Sequence, residues 1–396
     1  MRAWTLTSSG LTLSPSHPLP VSLPASTSVP FSATSSISTA PGTTATQPTP
    51  TLTGNNLLIH ITHASLNPVD LHILRLFPSW LPFRRNPTPG FDFCGRVVGV
   101  GPGVSSAGDG EFQVGDVVAG ALGVGDVFWG KGSLAEYLVV DGGLVGKVPN
   151  SWKTTGREGE EVKGEEAVGP FGIAGQTAVL MTQAAGVPDQ EWKGKRVLVN
   201  GASGGVGSIL VQILKGRGAE VWGTTGSQEG EDLVKKCGGV VINYKTHAPV
   251  TEYLAQLFGT EEGAEEGKLD YIFDCAGSQP LYTHSPSYLK PKGKFISIVG
   301  GASQGVVPYV RNKLRPVWLG GTPREFELLL LLPGSKTVRE VGRLIEEGVI
   351  TRGWVDGGRV WEMEELVEAY RRLASGRAKG KVVVRVSKEE EEEEEE

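Results

Sequence analysis

Charge is missing from the start of this chain. From Ala3 to Val69 there is no Asp, Glu, Lys or Arg, and residues 7–54 are dominated by Ser, Thr and Pro. Such a stretch buries too little apolar surface to offset its ordering entropy. It also lacks the arginines of a mitochondrial leader and the unbroken apolar core of a secretory one, because only Arg2 is available and prolines interrupt every candidate. A cytoplasmic location is therefore expected, with a mitochondrial one as the lesser alternative. Cysteine is nearly absent: Cys94, Cys237 and Cys275 are scattered, with no CxxC pair. That argues against a disulfide framework and for a reducing compartment. No run approaches roughly 18 uncharged apolar residues, which excludes a membrane-spanning helix. A basic stripe is missing too. The net charge of −6 is set by the terminal run Glu389 to Glu396; with that run set aside, 38 basic residues face 36 acidic ones. Nothing there calls for a nucleic-acid partner, and the Glu run reads as a self-repelling, solvated tail.

What is present is length and glycine. The chain has 396 residues, 56 of them Gly, which suggests two domains rich in tight turns. Strands are expected near Arg2–Thr7 and Leu11–Ser14. After the Ser/Thr/Pro stretch, Leu57–His63 alternates as a strand. Short β-like segments follow at Gly95–Val100, Asp116–Gly120 and Ala135–Val140, the spacing of a small β-barrel-like domain. Residues 153–167 are polar and charged and read as a linker. Beyond Pro170 the rhythm changes. Ile173–Ala185 reads as a helix, Arg196–Asn200 as a buried strand, Val206–Arg217 as a helix and Glu220–Thr224 as a strand. Val240–Asn243, Asp270–Asp274 and Lys294–Val299 are further strands. Strands alternating with helices make an α/β domain with a parallel sheet. Val338–Glu347 and Met363–Ala374 are amphipathic helices, and Lys381–Val386 is a last strand.

The motif with the clearest chemistry is Val199-Asn-Gly-Ala-Ser-Gly-Gly-Val-Gly207. Its glycines stand between a buried strand and a helix. One makes the tight turn, one lets backbone N–H groups approach a pyrophosphate, and one allows close helix–strand packing. Gly201, Ala202, Ser203, Gly204, Gly205, Val206 and Gly207 are the expected phosphate cradle, ahead of an electropositive helix N-terminus. The next strand ends at Trp222-Gly-Thr-Thr-Gly-Ser227. An NAD site places an acid there. Thr225 and Ser227 leave room for a 2′-phosphate instead, so NADPH is expected over NADH. The matching basic clamp is not evident: Gln228 stands where an Arg is wanted, and Glu229 and Glu231 begin the next helix.

Here the sequence resembles the medium-chain dehydrogenase/reductase superfamily, in its zinc-free quinone oxidoreductase branch. Fungal members and the mitochondrial reticulon-interacting oxidoreductases look closest. Besides the glycine loop, the carriers are Asn67-Pro-Val-Asp70, Pro89-Gly-Phe-Asp-Phe-Cys-Gly95, Val114-Gly-Asp-Val-Val118, Gly132-Ser-Leu-Ala-Glu-Tyr137, Gly175-Gln-Thr-Ala178, Ile242-Asn-Tyr244 and Gly380-Lys-Val-Val383. The resemblance covers about residues 57–386. It implies a GroES-like β-rich catalytic domain plus a Rossmann doubly wound parallel sheet, with the cofactor between them. The boundaries expected are 1–165 for the catalytic domain, including the 15–54 stretch, then 166–312 for the Rossmann domain. Residues 313–386 would return to the first domain, and 387–396 form the tail.

Zinc members of the superfamily carry Gly-His-Glu where this chain has Gly90-Phe91-Asp92. Phe91 cannot ligate. Their first ligand, a Cys, is matched by Asn67 or a neighbour, and three distant cysteines cannot form a structural zinc lobe. His60 and His63, three apart on a strand, are expected on opposite faces. No metal is therefore expected. What remains is hydride transfer to a carbon that accepts it readily, in a quinone or an α,β-unsaturated carbonyl. An NADPH-binding sensor or partner-binding protein with weak turnover is the alternative.

The resemblance places Asn67 and Asp70 beside the cleft. Asn67 could donate to the substrate oxygen; Asp70 either orients that loop or caps the helix after it. Phe77 stands near the place where some relatives carry a Tyr proton donor, which leaves water or the substrate's own hydroxyl as the source. Thr177 either touches the nicotinamide or caps a helix start. Tyr244 resembles a position beside the adenosine, or is an ordinary strand-end aromatic. Cys275, at a strand's C-terminal end, is positioned to contact the cofactor. Gly300, after Val299, completes the expected cofactor set. Tyr288 and Lys292 match a Tyr-x-x-x-Lys pair, but Pro291 between them forbids the helix that pair requires. The substrate walls are expected in Leu76–Arg85 and Arg311–Pro323. A homodimer is left open.

Overall fold

The computed structural model of the chain describes residues 1–7, 10–15, 17, 52–76, 87–104, 112–155, 160–162, 164–259, 266–299, 312–330 and 333–387. Gly300, Phe77, almost all of the 15–54 stretch, most of the 76–85 wall and the Glu run lie outside them.

Six strands form one wholly parallel sheet, in the order Val240–Asn243, Glu220–Thr225, Arg196–Asn200, Leu269–Asp274, Leu289–Ser297 and Glu325–Leu328. Numbered along the chain from Arg196–Asn200, that order is 3-2-1-4-5-6, the doubly wound arrangement. Its ligand crevice opens beyond the strand ends where the order reverses. Val197, Leu198 and Val199 are fully buried, as expected for a strand covered on both faces. The helices Ile173–Ala184 and Gly205–Gly216 pack together on this sheet.

The other half is a seven-stranded sheet built mainly of antiparallel pairs. Asn56–Ser65 is central, pairing with Lys381–Arg385, Asp92–Val100 and Tyr137–Asp141; Asp92–Val100 continues to Val117–Ala121 and Val145–Lys147. The chain's last strand, Lys381–Arg385, therefore lies beside its first long one, with Val355–Glu362 parallel on its outer side. A hairpin, Ala3–Thr7 with Gly10–Ser14, is tied on by Trp4 Nε1 donating to the Met363 carbonyl at 2.8 Å. One apolar core runs through both halves: Cys94, Ala119, Val148 and Phe171 belong to the same buried cluster as Val197, Val199, Ile209 and Leu210.

Four expectations change. Residues 153–167 are not a bare linker: Lys153–Thr155 pairs with Glu160–Val162, and the helix Gly164–Phe171 packs on the seven-stranded sheet. Its Gly, Ala, Val and Phe give it a buried face that local polarity concealed. The boundary at 165 thus falls inside a helix. The boundary at 312 is also early, because Glu325–Leu328 completes the parallel sheet, and the helix Ser335–Glu346 then packs on Val145–Lys147 before Val355–Glu362 joins the seven-stranded sheet. Ser387, assigned to the tail, is buried, and its hydroxyl donates to the Ile61 carbonyl. Last, the parity argument for His60 and His63 fails. A β-bulge between Ile61 and His63 registers the two histidines with Arg96 and Cys94, two positions apart on one strand. They still do not meet at a common site: His60 packs against Tyr137 with the rings tilted, and His63 contacts Thr62.

Candidate active site

The glycine loop begins where Arg196–Asn200 ends. Gly201 turns at φ +77°, a conformation other residues rarely adopt. A Cβ on Gly207 would collide with the Gly201 carbonyl and the Ala202 backbone, so this glycine lets the helix close on the turn. Polar side chains fix the turn from below. The Gly201 N–H donates to Thr224 Oγ1 at 3.0 Å, Thr224 Oγ1 donates to Asn200 Oδ1 at 2.6 Å, and Asn200 Nδ2 donates to Asp274 Oδ1 at 2.8 Å. Ala202 and Ser203 are buried, and Ser203 Oγ lies 3.0 Å from Thr225 Oγ1. Gly204 is the N-cap of the helix Gly205–Gly216, and a Cβ there would meet only the Gly201 carbonyl, at 3.3 Å. The first N–H groups of that helix, Val206 and Gly207 among them, have no acceptor within it, which suits a phosphate.

At the end of the next strand, Thr225 is buried against Ser203. Ser227 caps the helix Gln228–Lys236, its Oγ accepting from Gly230 N–H at 3.2 Å. Tyr244 is 46% exposed and lies over Gly226. Glu229 and Glu231 sit in the first helical turn, as expected. Lys379 and Arg372, from far along the chain, lie within electrostatic reach of Glu229 in the first turn of that helix. Burial lowers the Lys379 ammonium pKa; Asp356 and, less strongly, Glu229 oppose that shift, while Arg372 and Lys245 add to it. Arg372 also responds to Glu229, although its main partner is Asp356, bound through Nε at 2.6 Å.

Between the two halves lies a buried polar cluster. Asp92 Oδ2 accepts from Ser65 Oγ at 2.7 Å, from Asn67 Nδ2 at 2.8 Å and from Lys381 Nζ at 3.1 Å. Asp92 Oδ1 accepts from the Ile173 N–H at 2.8 Å, at the start of the helix Ile173–Ala184. Lys381 Nζ also donates to Asn67 Oδ1 at 2.7 Å and to the Leu66 carbonyl at 3.1 Å. Asn67 begins the helix Pro68–Leu76, and its N–H donates to Asp70 Oδ2 at 2.8 Å. That is half of a capping box, which supports the cap reading of Asp70. Asp70 is buried, and burial pushes its carboxyl pKa up to about 8; the nearby Asp92 raises it further and the Asn67 N–H opposes the rise. The buried Tyr370 hydroxyl faces it, raised well above its usual pKa by burial and then by Asp70.

Residues 53–150 match the Alcohol dehydrogenase GroES-like domain, and residues 239–384 match a family described as Zinc-binding dehydrogenase. A medium chain reductase of Acremonium is 31% identical over 354 residues, covering 86% of this chain and 92% of its own. The chain belongs to the medium-chain dehydrogenase/reductase superfamily. It falls in the quinone-oxidoreductase branch and is an oxidoreductase that uses a nicotinamide cofactor. A trans-enoyl reductase of Penicillium oxalicum is 31% identical over 367 residues, covering 85% of this chain and 90% of its own. The chloroplast envelope quinone oxidoreductase homolog of Arabidopsis thaliana is 30% identical, covering 85% and 92%. Among solved structures, the quinone oxidoreductase of Coxiella burnetii shares the fold, with a TM-score of 0.63, 23% identity, and coverage of 86% of this chain and 93% of that one.

Thr177 is not at a helix start; it lies inside the helix Ile173–Ala184, with its hydroxyl donating to the Ile173 carbonyl at 2.7 Å. Cys275 packs its sulfur 3.9 Å from Met181, and burial pushes its thiol far up. That thiol is no nucleophile. Tyr288 is buried with its hydroxyl on the Leu281 carbonyl at 2.6 Å, beside the strand Leu289–Ser297 that contains Lys292. The pair is structural. The residues do not fit the zinc that the family description implies. Phe91 is buried, Asp92 is held by four donors, and no group of three His, Cys, Asp or Glu among the described residues could hold a metal.

Proposed function

We propose that the protein is an NADPH-dependent, zinc-free reductase of quinones or α,β-unsaturated carbonyls. The observation that carries this reading is the Asn67–Asp92–Lys381 cluster, which fills the metal-ligand region with a hydrogen-bonded polar network. Relatives named trans-enoyl reductase and quinone oxidoreductase agree with it. The cofactor, when bound, supplies the hydride. Gly201 to Gly207 and the helix behind them hold its pyrophosphate end, and Thr177 lies toward the nicotinamide end. Thr225, Ser227, Tyr244 and Lys379 surround the adenosine end, and the absence of an acid at 225 and 227 favours the 2′-phosphate. Asn67 has one amide hydrogen held only by a 3.5 Å contact to the Ser65 carbonyl. That hydrogen serves the substrate oxygen, where negative charge develops as hydride reaches the conjugated carbon. Water or the substrate's hydroxyl supplies the proton.

Turnover against a panel of quinones and enones, with NADPH and NADH in parallel and zinc measured in the same preparation, tests the reading. Reduction with NADPH preferred and zinc far below one per chain is expected. No turnover of any acceptor, or zinc-dependent alcohol oxidation, would overturn it. Cytoplasmic location belongs to the same reading, since the cysteines form no disulfide; a fluorescent fusion reports it. So does a homodimer, favoured by exposed Leu314, Val317, Trp318 and Leu319 near the edge strand Glu325–Leu328. Sedimentation velocity checks that point.

A further inference from the structure

We infer that Lys381 is a positioning residue, which orients the Asn67 amide and registers it against the cofactor loop. The inference rests on the functional reading above, in which Asn67 addresses the substrate.

Lys381 is buried although it opens a strand of valines. Its ammonium has three hydrogens, and the structure provides three acceptors: the Leu66 carbonyl, Asn67 Oδ1 and Asp92 Oδ2. A carboxamide can flip end for end. Here the flip is prevented electrostatically. The Asn67 oxygen faces a cation and its nitrogen faces a carboxylate, so the reversed amide would set oxygen against carboxylate and N–H against ammonium. Lys381 thus determines that Asn67 presents a donor. The same residue reaches the other half of the molecule. Its methylenes occupy the place a Gly205 Cβ would take, with Cδ 2.7 Å from that position. The preceding residue joins the two halves through the backbone: Gly380 N–H donates to the Ser203 carbonyl at 2.9 Å. Two consecutive residues, Gly380 and the strand's first residue Lys381, therefore fix the distance between the loop that holds the cofactor and the amide that meets the substrate. Hydride transfer is sensitive to that distance, since misplacement by about 1 Å can cost on the order of a hundredfold in rate.

The test compares Lys381→Met, which keeps the stem and removes the ammonium, with the double variant Lys381→Met/Asp92→Asn. Steady-state kinetics and hydrogen exchange of the full-length protein are the two readouts. For Lys381→Met, kcat is expected to fall at least tenfold while KM for NADPH stays within about threefold. Exchange is expected to rise in residues 65–70 and 203–207 and not in the parallel sheet. The double variant removes both buried charges, so it is the folded reference should the single one fail to fold. It is expected to remain slow, because nothing then orients Asn67. Recovery of wild-type kcat in the double variant would show that Lys381 only neutralises Asp92, and would overturn the proposal. A large rise in KM for NADPH at unchanged kcat would make Lys381 a cofactor-binding group, and would overturn it too. If the wild-type protein reduces no acceptor, the functional reading fails by itself. Unchanged exchange in both segments would sink the Lys381 assignment independently.

Discussion

Asp70 is a buried carboxyl that stays protonated near neutral pH. Its carboxyl pKa lies at about 8 when folded, against about 3.9 in an unfolded chain. Between those values the folded protein holds a proton that the unfolded chain has released. Stability contributed by this group is therefore present below about pH 4 and is lost as pH rises through 8. In Asp70→Asn the amide still accepts from Asn67 N–H and cannot ionise. Melting temperatures from pH 5 to 8.5 should show wild type falling relative to Asp70→Asn, by the equivalent of a few kcal/mol across the window. The His63 imidazole, pushed down to about 4 chiefly by burial, is common to both proteins and cancels in the comparison. Parallel melting curves would mean that Asp70 is ionised in the fold. The cap role of Asp70 was readable from Asn67-Pro-Val-Asp70 because it is local. Its perturbed acidity was not, because burial by elements from elsewhere in the chain produces it, with Asp92 adding to the rise and Lys381 and the Tyr370 hydroxyl, about 300 residues away, opposing it.

The unit Arg196–Asn200, glycine loop and Gly205–Gly216 was the most legible part of the sequence, since strand, turn and helix are adjacent and each glycine has a local reason. It also yields the cleanest cofactor tests. Gly205 is a poor site for a charge, because a side chain there would displace Lys381. Gly204 is less crowded: a Cβ there would meet only the Gly201 carbonyl, at 3.3 Å. Gly204→Asp should therefore leave folding intact and weaken NADPH binding at least tenfold, about 1.4 kcal/mol, by setting a carboxylate beside the pyrophosphate. Fluorescence titration of NADPH measures it. At the next strand, Thr225 is too buried to accept a charge without loss of stability. Ser227 is the better position, since Asp caps a helix as well as Ser does. Ser227→Asp should keep the melting temperature and lower the NADPH-over-NADH ratio of kcat/KM at least tenfold. An unchanged ratio would place the 2′-phosphate elsewhere.

Across the whole molecule, what joins the two halves was the hardest to read. Lys381 meets Asn67 and Asp92 from more than 280 positions away, and a lysine opening a valine strand carries no sign of burial. The sign that was available is Gly380-Lys-Val-Val383 itself, a charged residue placed where an apolar run begins. The hydrophobic patterns gave most strands of both sheets but missed Gly164–Phe171, Glu325–Leu328 and Val355–Glu362, and the domain limits came out early or inside a helix, because these elements are assigned by their partners and not by their own periodicity. The charge-free segment poses the remaining question at this level. It leaves the hairpin Ala3–Thr7 with Gly10–Ser14 and re-enters at a turn where Asn56 N–H donates to the Thr53 carbonyl and Gly103 N–H to the Gly54 carbonyl. Both ends are thus anchored without it, and no site residue falls within it. Replacing residues 18–51 with a Gly/Ser linker that spans the same ends should leave the melting temperature and kcat with NADPH and a small quinone within about threefold of wild type, on the grounds that the loop, the polar cluster and their junction at Gly380 and Lys381 all lie elsewhere. A loss beyond about tenfold, ~1.4 kcal/mol of transition-state stabilisation, at unchanged melting temperature would instead show that this segment covers the substrate.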